Sequence, residues 1–144
     1  MNSPAETGQA ASPQNRISAY FLFWSKSCEP AEVTARTALQ PTRVWRIGDV
    51  RQAATGRRHE DNGWRLEGTC SSTDAIEPHV VALLNALEGT AIEWRDVCPD
   101  GQRQISIVIY THEYIPALYL SAEVLLRVAR VGASLNVDLY DLKE

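Results

Sequence analysis

Apolar and polar positions alternate with a period of two over residues 105–110. Ile105, Ile107 and Ile109 fall on one side, and Ser106, Val108 and Tyr110 on the other, which predicts a strand with one buried face. Over residues 121–132 the spacing changes to three and four. Val124, Leu125, Val128, Ala129 and Val131 mark the inner stripe of an amphipathic helix, with Ser121 as its N-cap and Gly132 where left-handed backbone is needed. Arg127 and Arg130 fall near its C-terminal end, where cations suit the helix dipole. The period of two then returns: Leu135, Val137 and Leu139 alternate with Asn136, Asp138 and Tyr140, giving a second strand with one apolar and one polar face. Burying Val124, Leu125, Val128 and Val131 is worth about 6–12 kcal/mol at ~1.5–3 kcal/mol each, so this strand-helix-strand unit anchors the fold.

The rest of the chain is arranged around that unit. Residues 17–25 alternate Tyr20, Leu22 and Trp24 with Phe21 and Phe23, the two-sided apolar pattern of a central strand. A helix is predicted over residues 29–39, with Pro30 and Glu32 in its first turn, followed by a short strand over 43–47. Residues 48–63 read as a long, polar, arginine-rich loop and 64–70 as extended chain. A helix from Pro78 to Gly89 buries Val80, Val81, Leu84 and Leu87. Residues 92–97 read as a strand that Cys98-Pro99-Asp100-Gly101 folds back onto the next one. Residues 1–15 are an aperiodic Ser, Pro, Gln and Ala tail, expected to be disordered, which leaves one domain over 16–144. The expected fold is an α+β two-layer sandwich, with a mainly antiparallel sheet of about five strands, three helices on one face and a ferredoxin-like core.

Composition narrows the function classes. With 44% apolar residues the chain holds a core without metal or disulfide support, and it has neither a membrane-length apolar run nor a signal-peptide core, so a cytoplasmic location is expected. Cys28, Cys70 and Cys98 are odd in number and widely spaced, which predicts free, buried or semi-buried thiols. The net charge is −4, yet residues 36–65 hold seven arginines against three acids, so this segment is at +4 and the remainder at −8. Arginine forks bind carboxylates and phosphates, while the overall acidity counts against a nucleic-acid partner.

Candidate chemistry is sparse. His59-Glu60-Asp61 and His112-Glu113 contain metal-ligand types, but neither has a helical i, i+4 pair or a second histidine nearby, so no metal is expected. There is no nucleophile elbow and no glycine pattern for a phosphate, and no cofactor is expected. The tryptophans say more. Trp45 and Trp64 are expected to cover the second sheet face with Tyr20, Trp24, Tyr110 and Tyr140, and with Asn136 and Asp138 as its polar members. Two readings of that face stand: a plain aromatic mini-core, or a groove for a ligand or partner protein bordered by Arg43, Arg46 and Arg65.

Several short motifs carry a family likeness. Tyr20, the run from Glu29 through Pro30, Ala31, Glu32 and Val33 to Thr34, Leu39-Gln40-Pro41-Thr42, Trp45, Gly48-Asp49, Trp64, Leu120-Ser121-Ala122-Glu123, Gly132-Ala133 and Asp138-Leu139-Tyr140 together resemble the bacterial family known as domain of unknown function 4279 (DUF4279). The likeness runs over residues 17–140. It implies a small bacterial intracellular protein and brings no catalytic residues with it. Glu29 stands where the family tends to have Asp, a better cap, so the first helix start is expected to be less secure. The resulting expectation is a non-enzymatic module that binds another protein, with an immunity-type protein as one form. The alternative is a small enzyme or sensor for an anionic small molecule, with His59, His112 and Asp138 as its acid/base groups.

Overall fold

The computed structural model describes residues 15–71, 75–112 and 114–142. The tail expected over 1–15 lies outside them except for Asn15, which is buried. Its side chain donates to the Tyr114 carbonyl and accepts from the His112 N–H, both at 2.9 Å, so this position is tied to the domain.

The strands are β1 (Arg16–Ser25), β2 (Arg43–Trp45), β3 (Val50–Gln52), β4 (Arg57–Arg58), β5 (Asn62–Glu67), β6 (Gln102–Thr111) and β7 (Ser134–Asp141). The helices are α1 (Pro30–Thr37), α2 (Glu77–Glu88) and α3 (Ala122–Val131). Five strands form one sheet in the order β2-β5-β1-β6-β7, antiparallel throughout except for the parallel β6–β7 pair that α3 connects. The fold is therefore the expected α+β sandwich, a mainly antiparallel five-stranded sheet with three helices.

Period-two alternation sorts the side chains between the two faces. On the covered face, Ile17, Ala19, Phe21 and Phe23 of β1, Trp64 of β5 and Ile105, Ile107 and Ile109 of β6 join Val33, Val80, Leu83, Leu84, Leu87, Val124, Val128 and Val131 from the helices in one buried cluster. Ser121 caps α3 by accepting from the Val124 N–H at 3.2 Å, and Gly132 ends it at φ +79°. The start of α1 is secured by Glu32, whose carboxylate accepts from the Glu29 N–H at 3.1 Å.

Several expectations are corrected. Residues 92–97 are not a strand: Trp94–Asp96 form a short 3-10 turn that drives Trp94 into the core, where its indole N–H donates to the Leu87 carbonyl at 3.0 Å. The turn at 98–101 forms, closed by Gly101 N–H to Cys98 carbonyl, but β6 pairs with β1 and β7 instead of a preceding hairpin partner. Residues 48–63 are no plain loop, because β3 and β4 pair as a small ribbon. In α2 the inner positions are His79, Val80, Leu83, Leu84 and Leu87, leaving Val81 half-buried. Leu125 is exposed, since it lies about 100° around α3 from Val124 and the buried stripe is only Val124, Val128 and Val131 wide.

The thiols are also corrected. Cys28 and Cys98 form a disulfide across 70 residues of chain, and Cys70 is the free cysteine among the described residues. Sequence spacing could not show this pairing because β1 and the 98–101 turn meet only in the folded sheet. Closing so long a loop stabilises a domain by about 2–4 kcal/mol. Asp100 holds the two segments together beside it. Its carboxylate accepts from the Ser25 and Ser27 hydroxyls, both at 2.6 Å, and from the Lys26 and Ser27 amides. Those donors hold the carboxyl well below the usual carboxylate range.

Candidate functional site

No described helix lies on the second sheet face, and strand register arranges its side chains in five rows. Trp45, Gly63, Trp24 and Gln102 form the first, and Arg43, Arg65, Leu22, Gln104 and Ser134 the second. Glu67, Tyr20, Ser106 and Asn136 form the third, Ser18, Val108 and Asp138 the fourth, and Arg16, Tyr110 and Tyr140 the last. The first three rows, at the β2–β5–β1 side, line a groove of about 600 Å³ whose walls include Tyr20, Leu22, Trp24, Arg43, Trp45 and Arg65.

Glycine makes the groove possible. Trp45 lies across Gly63, where an added Cβ would fall 1.9 Å from the indole ring. No side chain but hydrogen fits there, and the indole is thereby laid along the sheet toward Trp24. The ribbon then contributes the outer wall. Its strand-like pairing, His59 N–H to Asp49 carbonyl at 2.8 Å and Gly48 N–H to His59 carbonyl at 2.9 Å, sets the His59 imidazole flat against Trp45, with centroids 4.7 Å apart and planes 20° apart.

Cations sit on these rings. The Arg65 guanidinium lies 3.6 Å from the Tyr20 ring centre and is held there by Glu67 at 2.5 Å, and Arg43 lies 5.5 Å from the ring of Trp45. Arg51 also lines the groove, and among the described residues neither Arg43 nor Arg51 has a carboxylate partner. The acidic wall is partly neutralised, since Asp61 pairs with Lys26 at 3.2 Å. The imidazole of His59 reports the balance: burial, then Arg51 and Arg43, push its pKa below the ordinary value, against a smaller opposing pull from Asp49.

Of the residues expected on this face, the structure brings together Tyr20, Trp24, Arg43, Trp45 and Arg65. Trp64 is a correction. It pairs with Phe23 across β1–β5, so alternation sends it to the covered face, where it is fully buried and donates to the Thr34 hydroxyl at 3.0 Å. Arg46 is also displaced: it lies past the end of β2, exposed, and pairs with Glu29 at 3.4 Å outside the groove. Tyr110, Asn136, Asp138 and Tyr140 share the open face but lie at its β6–β7 side. There Tyr110 stacks on Tyr140 at 5.1 Å under Arg16. Sequence reasoning missed Arg51, Glu60 and Asp61 as wall residues, because the ribbon that carries Arg51 and the segment after it were read as an open loop.

His59 lines the groove, whereas His112 follows the far end of β6 and Asp138 belongs to β7, so the three acid/base candidates share no site. Among the described residues no cluster of His, Cys, Asp and Glu has the arrangement to hold a metal ion. No described helix is long and apolar enough to cross a membrane. No curated protein and no solved structure matches the chain. The motifs gathered around the groove, with Tyr20, Trp45 and Gly48-Asp49 among them, fall within a match of the family model to residues 15–142, and the chain belongs to the family described as Domain of unknown function (DUF4279).

Proposed function

We propose that this protein is a non-enzymatic binding module that takes an acidic segment of another protein in the groove formed by Tyr20, Trp24, Trp45, Arg43, Arg51 and Arg65. The observation that carries the proposal is the pair of guanidiniums, Arg43 and Arg51, which have no carboxylate partner among the described residues, beside a floor of half-buried rings. Such forks accept a carboxylate in two parallel hydrogen bonds, and flat rings supply contact area at small entropic cost. An acidic partner would satisfy both. The groove makes no demand on compartment, and the Cys28–Cys98 bond would persist where conditions are oxidising.

A second reading has its own support, because a volume of about 600 Å³ falls within the range of small-molecule sites. One titration distinguishes the two, with tryptophan fluorescence as readout and a synthetic Glu-Tyr repeat peptide as probe. The peptide is expected to bind in a salt-sensitive way, with its Gln-Tyr counterpart failing and Arg43→Ala/Arg51→Ala losing at least tenfold in affinity. Equal binding of the Gln-Tyr peptide rules out the acidic-partner reading. Binding of citrate or inorganic phosphate without the peptide moves the assignment to an anionic small molecule.

A further inference from the structure

The two edges of the sheet are managed differently. One edge is β2, three residues long; the other is β7, eight residues of SLNVDLYD with no proline, no lysine and no bulge. β7 has one strand neighbour, β6, and among the described residues no further strand lies along its outer side. Proteins normally blunt such an edge with short length, charged side chains, proline or a bulge; of these β7 has only the two carboxylates Asp138 and Asp141.

Its apolar face is uncovered as well. Leu135, Val137 and Leu139 lie beside Ile105, Ile107 and Ile109 on the helix side of the sheet, yet they remain 37%, 37% and 42% exposed. Leu125 of α3 extends that strip. Arg127 reaches Glu88 of α2 at 2.7 Å, and Leu125 is two residues away, roughly 200° around the helix, so it faces away from α2 and over the β7 edge.

We infer that β7 pairs with β7 of a second copy of this chain, antiparallel, about a two-fold axis through Val137. The inference does not depend on the groove. The register follows from the sequence of the strand. An odd offset would set Leu135 against Tyr140 and throw the two helix layers to opposite faces, so only even offsets keep apolar against apolar. Of the two even offsets that use nearly the whole strand, one centres on Asp138 and places that carboxylate opposite its own copy, a like-charge pair that opposes pairing. The other centres on Val137. It sets Leu135 against Leu139, Val137 against Val137 and Asn136 against Asp138, so each amide meets a carboxylate. The result is a continuous ten-stranded sheet with both helix layers on one side and the two Leu125 side chains turned toward the axis. The contact is isologous, as a two-fold dimer requires.

Sedimentation of the full chain is expected to give twice the chain mass, and Val137→Lys, which brings two ammonium groups to the axis, is expected to return it to the single-chain mass. A Val137→Lys chain that keeps its circular dichroism and stays dimeric overturns the inference, as does a full chain that is monomeric up to its solubility limit. A chain that dimerises only once residues 2–13 are deleted also overturns it, by showing the edge to be occupied by its own tail. Register is read separately, in a Cys70→Ser background that keeps the Cys28–Cys98 bond. Val137→Cys is expected to cross-link to itself under mild oxidation, whereas Leu139→Cys is not, since its copy lies four residues along the partner strand, roughly 13 Å away. Equal self-cross-linking of the two variants excludes this register.

Discussion

Trp64 and Trp45 lie one register step apart on adjacent strands, each opposite a small or aliphatic residue, and they meet opposite fates. Trp45 faces Gly63 on the open side; Trp64 faces Val44 on the covered side. Trp64 is fully buried, edge-on to Phe21 at 6.3 Å and tilted against Trp94 at 5.5 Å, with its indole N–H spent on Thr34. Trp45 is half-buried, stacked on an imidazole and flanked by a guanidinium, with no helix above it. The covered face uses rings as volume inside a close-packed core, where loss of a ring leaves a cavity. The open face uses them as contact area, where loss of a ring leaves solvent.

The largest effect that separates the faces is therefore on stability. Trp64→Ala is expected to cost about 3–5 kcal/mol, by analogy with large-to-small changes in other cores, and to lower Tm steeply. Trp45→Ala is expected to cost about 1 kcal/mol, the scale of one exposed stacking contact, while removing peptide binding. Thermal unfolding of the two variants side by side checks the contrast. Comparable losses of Tm would mean that the open face is a second core, as the mini-core reading of the sequence has it.

A smaller and more selective change sharpens the same point. Gly63→Ala removes no ring but puts a methyl group where the Trp45 indole now lies. The covered face is untouched, because Gly63 projects to the open side. Trp45 is expected to swing off the sheet, with a red-shifted tryptophan emission, loss of Glu-Tyr peptide binding and a change in Tm of only a few degrees. Retained peptide affinity in Gly63→Ala would show that the flat placement of Trp45 is irrelevant to the groove.

Much of the covered face was legible in the sequence, and much of the open face was not. Ile105, Ile107, Ile109, Val124, Val128 and Val131 declare themselves by periodicity, since their neighbours on the same element share their burial. The face that Trp64 occupies depends on its register against β1 and β2, where a slip of one residue would turn it over, and one strand's own pattern does not answer that two-strand question. Trp94 was placed on the wrong element because a 3-10 turn and a short strand both deliver an isolated ring to a core. The groove wall escaped for a different reason. Arg51 comes from a ribbon of two very short strands and Glu60 and Asp61 from the segment that follows it, where pairing is set by backbone bonds such as His59 to Asp49 and leaves no hydrophobic period to read. The Cys28–Cys98 bond is likewise a property of two segments that only the folded sheet brings together.

The mildest test reads the electrostatics of the open face directly through His59. Its pKa is depressed from the ordinary value, first by burial against Trp45 and the ribbon and then by Arg51 and Arg43, with Asp49 pulling the other way. A depressed imidazole means that the unfolded chain takes up the proton more readily. The folded state thus loses ground as pH falls through the ordinary value of about 6.5 toward the folded-state value, and His59 contributes no such penalty above that window. Arg51→Ala removes one of the two cations and is expected to raise the His59 pKa toward its ordinary value, read from the imidazole carbon-bound proton by NMR titration. Bound Glu-Tyr peptide is expected to move it in the same direction, because carboxylates placed beside Arg43 and Arg51 would cancel the potential that disfavours the imidazolium. Trp64→Phe, on the covered face, is expected to leave the titration where it is. A His59 titration indifferent to both Arg51→Ala and the peptide would mean that burial alone sets it, and that Arg43 and Arg51 exert no joint field at the place where a carboxylate is supposed to sit.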